Sequence, residues 1–379
     1  MEDDYNKPMQ LPKKLWGFSM SDDYNLPVAI PNSVRSVLIN SNYDCSILPE
    51  SVEELWCTTY SGYPATVTRL DAITITKFPP NAIQLSFNEL ICDIATMPKT
   101  VTAVRYSGDV VINLPFPVHT YKYYGPLTED VVFLDGIKKL SINADRDATI
   151  NIPESVQDLK IRANGYKLQY NLPQNLINLV TDMNHQHIPD TIKYLDIERM
   201  NSVDNFPKNL KTLIIRSQEY GEVELSYVEH LKINVQCKLN VPESVKHLKI
   251  GDSFNGELFV PANVLTLKLG HNFNSRITFA PNSKLYSIKF GNTYNLYTEF
   301  PDSVRRITFG DYFNQHFISK AEYIRFGEYF NQYINMPDLK WLRVGSHFER
   351  DIIAPNLKTL KTCGWTGGVY VYLDVEEFI

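Results

Sequence analysis

The sequence predicts a β-rich solenoid of about eighteen or nineteen short coils carrying one long parallel sheet. Three observations predict it. An apolar-x-apolar strand returns about every 17 to 21 residues, the C-terminal strands each run into a glycine, and most C-terminal coils close on a proline.

The repeat is plainest from residue 244. The strands there read Ser244-Val-Lys-His-Leu-Lys-Ile-Gly251, Asn263-Val-Leu-Thr-Leu-Lys-Leu-Gly270, Lys284-Leu-Tyr-Ser-Ile-Lys-Phe-Gly291, Ser303-Val-Arg-Arg-Ile-Thr-Phe-Gly310, Lys320-Ala-Glu-Tyr-Ile-Arg-Phe-Gly327 and Asp338-Leu-Lys-Trp-Leu-Arg-Val-Gly345. Each is followed by a loop holding an aromatic residue, and all but the last follow it with asparagine: Phe254-Asn255, Phe273-Asn274, Tyr294-Asn295, Phe313-Asn314, Phe330-Asn331 and Phe348-Glu349. Prolines 242, 261, 281, 301, 337 and 355 close the units. The same strand frame fits segments starting at Ser155, Thr191, Asn209 and Tyr227, and earlier ones at Ser33, Ser51 and Asn81, where the Phe-Asn loop is missing.

Each position has a physical task. Alternation sends Leu and Ile to one face of a short strand and the intervening residue to the other. One such strand cannot bury its face alone, so coils must stack, about 4.8 Å apart, to bury a continuous apolar column. Glycine after the strand suits a positive φ or a close backbone approach. The aromatic residue is expected inside as a ladder, the asparagine to cap turned backbone with its amide, and proline to fix φ at the return turn.

These residues resemble the FNIP repeat, a relative of the leucine-rich repeat found in social amoebae and giant viruses of amoebae. Phe313-Asn-Gln-His-Phe317 and Phe330-Asn-Gln-Tyr-Ile334 carry the likeness, each preceded by Phe-Gly-Asp/Glu-Tyr; His316 and Tyr333 stand where the motif has proline. The resemblance implies a leucine-rich-repeat-like solenoid divided into an N-terminal cap (1–30), degenerate leucine-rich-type repeats (31–240), FNIP-like repeats (241–362) and a C-terminal cap (363–379). Such relatives often carry an F-box ahead of the repeats; about 30 residues precede the first clear strand here, too few for one, so a ligase role is not carried over. The resemblance also implies an intracellular protein or a virion-associated one.

At 379 residues the chain exceeds one ordinary core, a limit that a repeat array escapes because each unit packs only on its neighbours. The net charge of -6 gives no global reason to expect nucleic acid or an anionic membrane as partner. No apolar run is long enough to cross a bilayer, and Met1-Glu2-Asp3-Asp4 is unlike a secretory signal. Cys45, Cys57, Cys92, Cys237 and Cys363 are odd in number and scattered, and no Asn-x-Ser/Thr sequon occurs, which favours a reducing compartment.

Function is expected on the outward residues of the strands. The central outward column reads Lys232, Lys249, Lys268, Lys289, Thr308, Arg325, Arg343 and Lys361, seven of eight cationic on an acidic chain. Neighbouring charges about 5 Å apart repel by under about 1 kcal/mol in water, so the column costs a little stability. The adjacent outward column holds His230, His247, Thr266, Ser287, Arg306, Tyr323, Trp341 and Thr359. Arg, Tyr and Trp are what interface cores favour. A partner protein with an acidic surface is therefore expected on Lys232, Lys249, Lys268, Lys289, Arg306, Tyr323, Arg325, Trp341, Arg343 and Lys361. A virion or surface-layer component and a polyanion binder are the other readings; plain solubility of a duplicated lysine is the bland one. His185-Gln-His187 near Asp182 has metal-reaching spacing but no third ligand, and no phosphate loop, nucleophile elbow or His-Glu-x-x-His helix appears, so neither a cofactor nor an enzyme is expected.

Overall fold

The structure is a computed structural model that describes residues 9–20, 24, 26–39, 43, 45–128, 130–182, 187–198, 206–216, 222–223, 225, 227–234, 236, 238–362 and 371–372. Contacts divide the chain into two units, residues 1–182 and 183–379. The capping segments expected at 1–30 and 363–379, His185, Cys237 and Cys363 fall wholly or partly outside the described residues.

In the first unit the strands Gly17–Ser19, Ser36–Leu38, Glu54–Tyr60, Arg69–Ile75, Gln84–Leu90, Ala103–Tyr106, Thr120–Tyr123, Lys139–Asn143, Asp158–Arg162 and Asn178–Thr181 follow one another in a single parallel sheet. The register is in step, with Leu55, Leu70, Leu85, Val104, Tyr121, Leu140, Leu159 and Leu179 aligned and buried. A second short parallel sheet, from Asp130–Val132, Ala148–Asn151 and Leu168–Gln169, closes part of the far side. Gly17–Ser19 lies inside the segment expected as a cap and pairs residue for residue with Ser36–Leu38.

The second unit repeats the arrangement with Tyr194–Ile197, Thr212–Ile215, His230–Ile233, His247–Ile250, Thr266–Lys268, Ser287–Lys289, Arg306–Thr308, Tyr323–Arg325, Trp341–Val344 and Thr359–Thr362. Short strand pairs such as Leu258–Val260 with Ile277–Phe279, and Ile334–Asn335 with Ile352–Ile353, form its far side. Two 3₁₀ turns, Cys45–Ile47 and Ile94–Thr96, are the only helical elements among the described residues.

Many of the sheet strands in both units are preceded by a turn built alike. Proline's carbonyl accepts the N–H three residues on, as in Pro31 to Val34, Pro49 to Val52, Pro153 to Val156, Pro242 to Val245 and Pro301 to Val304. The small polar residue between them bonds the preceding coil: Ser51 Oγ donates to Val34 O at 2.7 Å, Thr100 Oγ1 to Ala82 O at 2.7 Å and Ser303 Oγ to Leu285 O at 3.0 Å. The residues 31–240 that look degenerate by their loops therefore keep the repeat in their turns.

Between residues 254 and 349 two side-chain ladders run through the second unit. Phe254, Phe273, Tyr294, Phe313, Phe330 and Phe348 are fully buried and stack in sequence, with ring centroids 6.0 to 6.4 Å apart. A second inner row, Phe290, Phe309 and Phe326, stacks at 5.1 and 5.3 Å and presses on the first, as Phe326 does on Phe330 at 3.6 Å. The one buried phenol in this ladder, Tyr294, bonds the buried Thr298 hydroxyl, which stands where other coils have Leu, Ile or Phe. Beside the rings, the side-chain oxygens of Asn255, Asn274, Asn295, Asn314 and Asn331 each accept the backbone N–H of the matching residue one coil on, at 2.8 to 3.0 Å. The amide thus satisfies backbone donors that a turn would leave unpaired.

The strand-end glycines answer to close approach, not to positive φ. A Cβ on Gly291 would stand 1.9 Å from the carbonyl oxygen of Gly270, and one on Gly310 would stand 2.1 Å from that of Gly291. Consecutive coils touch backbone to backbone there.

Candidate binding face

The sheet register lines up the basic residues of the second unit. Lys232 pairs with Lys249, Lys249 with Lys268, Lys268 with Lys289, Lys289 with Thr308, Thr308 with Arg325, Arg325 with Arg343 and Arg343 with Lys361. Lys249, Lys268, Lys289, Arg325 and Lys361 are exposed, and Lys232 and Arg343 are half-buried. Crowding with Lys249 and Arg216 adds to partial burial in pulling the Lys232 ammonium below its ordinary pKa, burial being the larger cause.

Charges on this face are sorted by column. The acids lie beyond the adjacent column, just before His230 and Tyr323 in the chain, and are engaged there: Glu229 meets Lys246 at 3.4 Å, and Glu322 meets Lys340 at 2.8 Å and Arg305 at 3.6 Å. Those bonds hold the carboxyls of Glu229 and Glu322 below the usual range, with the Tyr227 hydroxyl as the first cause at Glu229 and Lys340 at Glu322. Lys249, Lys268, Lys289 and Arg325 have no carboxylate within 4.0 Å among the described residues. At the column's start Asp196 is buried and held by Arg216 through two bonds of 2.6 Å, so it offers little charge to a partner.

The adjacent outward column gives the face its flat groups. Tyr323 pairs with Trp341, and the Arg306 guanidinium lies over the Tyr323 ring at 4.9 Å and the Tyr286 ring at 6.0 Å. This keeps Arg306 extended over aromatic surface at low entropic cost. His230 and His247 stack at 4.6 Å, and His247 Nδ1 lies 2.8 Å from Thr266 Oγ1. Burial first, then His230 and Lys246, lower the His247 pKa from its ordinary 6.5. A shallow concavity of about 280 Å³ opens here, lined by Ile214, His230, Lys232, His247, Lys249 and Lys268 among others.

The first unit has a concavity that the sequence reading did not single out. It measures about 460 Å³ and runs across Trp56, Arg69, Asp71, Gln84, Arg105 and Lys122. Trp56 is 40% exposed, and Arg105 lies over the Tyr124 ring at 5.7 Å. The strand frame beginning at Ser51 sends Trp56 outward, but its column is of mixed charge, so no periodic signal marks it. Asp182 is occupied otherwise than by a metal, accepting the N–H groups of Ala163 at 2.7 Å and Asn164 at 2.9 Å. Among the described residues no three His, Cys, Asp or Glu side chains cluster as metal ligands.

No protein-family model matches the chain, and no curated protein does. Among solved structures it is similar to CroV588 of the giant virus CroV, described as a novel circular LRR protein, with a TM-score of 0.59 over 95% of this chain and 71% of that one at 20% identity. The fold is a leucine-rich-repeat-like solenoid. It is also similar to YopM from Yersinia enterocolitica WA-314, with a TM-score of 0.40 at 14% identity over 90% of this chain and 91% of that one. Among the described residues no helix of this solenoid is long and apolar enough to cross a membrane.

Proposed function

We propose that this solenoid is a non-enzymatic interaction scaffold of the FNIP kind, and that the sheet face of its second unit docks a partner protein through an acidic surface. The carrying observation is the sorting of charge: seven cations stand in register while the neighbouring acids are tied to other bases. A column that costs stability in the free chain is repaid when an acidic surface covers it. Tyr323, Trp341 and Arg306 supply the flat, low-entropy contact area beside it.

The test is affinity capture with wild-type protein and with the double reversal Arg325→Glu/Arg343→Glu, beside a charge-matched reversal of the exposed Lys77 and Lys99 in the first unit. Loss of a salt-sensitive protein partner from the first variant and not the second supports the reading. Unchanged capture by Arg325→Glu/Arg343→Glu sinks it.

A further inference from the structure

Two of the scattered cysteines meet inside the first unit. Cys45 opens the 3₁₀ turn Cys45–Ile47, which packs on the strand Glu54–Tyr60 that carries Cys57. They are 4% and 8% exposed. The Cys45 thiol donates to the carbonyl oxygen of Thr59 at 3.3 Å, and the Cys57 thiol donates to the Cys45 sulfur. Neighbouring coils fill the position of Cys57 with Ala72 and Phe87, so packing alone does not call for sulfur there.

We propose that Cys45 and Cys57 form an oxidisable dithiol that a small hydroperoxide converts to a disulfide across the interior of one coil. Sulfurs in hydrogen-bond contact are roughly 1.5 to 2 Å from bonding distance, which side-chain rotation can close. Cys45, on the 3₁₀ turn, is assigned as the thiol that takes up the oxidant and Cys57, on the strand, as the one that resolves it, an order that Cys57→Ser tests. The Cys45 sulfur attacks one peroxide oxygen, the O–O bond breaks, and water or an alcohol leaves, giving a sulfenic acid. The Cys57 sulfur then attacks the Cys45 sulfur and water leaves, so two thiols are oxidised and one peroxide is reduced. The bond ties the outer turn of the coil to the strand bearing Trp56, the aromatic residue of the first unit's concavity.

The test treats the full chain with hydrogen peroxide, alkylates it under denaturing conditions and maps its peptides by mass. Cys92, half-buried, is the internal reference. Expected are a linked Cys45–Cys57 peptide, its loss on dithiothreitol treatment, and an upward shift in melting temperature of the oxidised form. In Cys57→Ser, dimedone should trap a sulfenic acid at Cys45. Both thiols recovered free at a dose that oxidises Cys92, or Cys45 linked to another cysteine, overturns the proposal. The mapping uses wild-type protein, so it decides the matter even where Cys57→Ser does not fold.

Discussion

Gly291→Ala tests the stacking of coils most directly. The added methyl would meet three backbone atoms: Gly270 O at 1.9 Å, Gly270 C at 2.5 Å and His271 Cα at 2.6 Å. No rotamer relieves a clash with backbone. Ordinary contact begins at 3.4 Å, so the coils would have to part locally by about 1.5 Å, nearly a third of the roughly 4.8 Å between strands. Nearby bonds such as Leu269 N to Lys289 O and Phe290 N to Thr308 O, both 2.8 Å, cannot stretch that far and survive. The expected cost is about 3 kcal/mol or more, at the upper end for overpacked cores. Urea unfolding gives the magnitude, and hydrogen exchange should show protection lost first at the coils flanking Gly291. Two controls separate the causes. Gly17→Ala meets nothing closer than 3.6 Å and should be near neutral. Gly165→Ala has open space but a φ of +94°, so it should cost about 1–2 kcal/mol through backbone strain alone. A Gly291→Ala protein within about 0.5 kcal/mol of wild type would refute the backbone-contact reasoning.

Further expectations follow from the ladder and the face. Asn314→Ala removes the acceptor for Asn331 N and Gln332 Nε2 and should cost about 1–3 kcal/mol, read by urea unfolding. Asp196→Asn leaves Arg216 half of a charge-assisted pair and should lower the urea midpoint, whereas the exposed pair Lys320 and Asp302 should be worth under about 1 kcal/mol. His247 has a lowered pKa, so the unfolded chain binds its proton more readily than the folded one. Stability should therefore fall as pH drops from about 6.5 through the lower folded value, with a smaller fall in His247→Asn. The same proton adds charge to the basic face, so binding of an acidic partner should tighten over that range; looser binding would contradict the proposed site.

The alternating strand pattern made the register legible, because a period of two leaves each residue only one face. Lys249, Lys268 and Lys289 stand in line for that reason alone. The glycine was legible as a requirement but not as a cause: a sequence cannot say whether positive φ or a touching backbone excludes the side chain. The inner row of Phe290, Phe309 and Phe326 was in plain view as strand residues, yet its stacking on the loop aromatics needs coil geometry. Similarly, Pro49-Glu-Ser-Val52 and Pro153-Glu-Ser-Val156 hold the repeat signal of residues 31–240, which is easily passed over when the Phe-Asn loop is the template. The meeting of Cys45 with Cys57 has no periodic signature at all.

The asparagine ladder makes each coil between 254 and 349 interchangeable with the next. Each of the five asparagines accepts the backbone N–H of the matching residue in the coil that follows, and from Asn274 to Asn331 each donates its own N–H to the asparagine one coil before. A copied coil inserted anywhere along this run would find both of its junctions already solved. It would also bring one more outward cation or aromatic residue to the sheet. Length and valence of the binding surface are thus set together, by the number of copies, and can change in steps without the fold being redesigned.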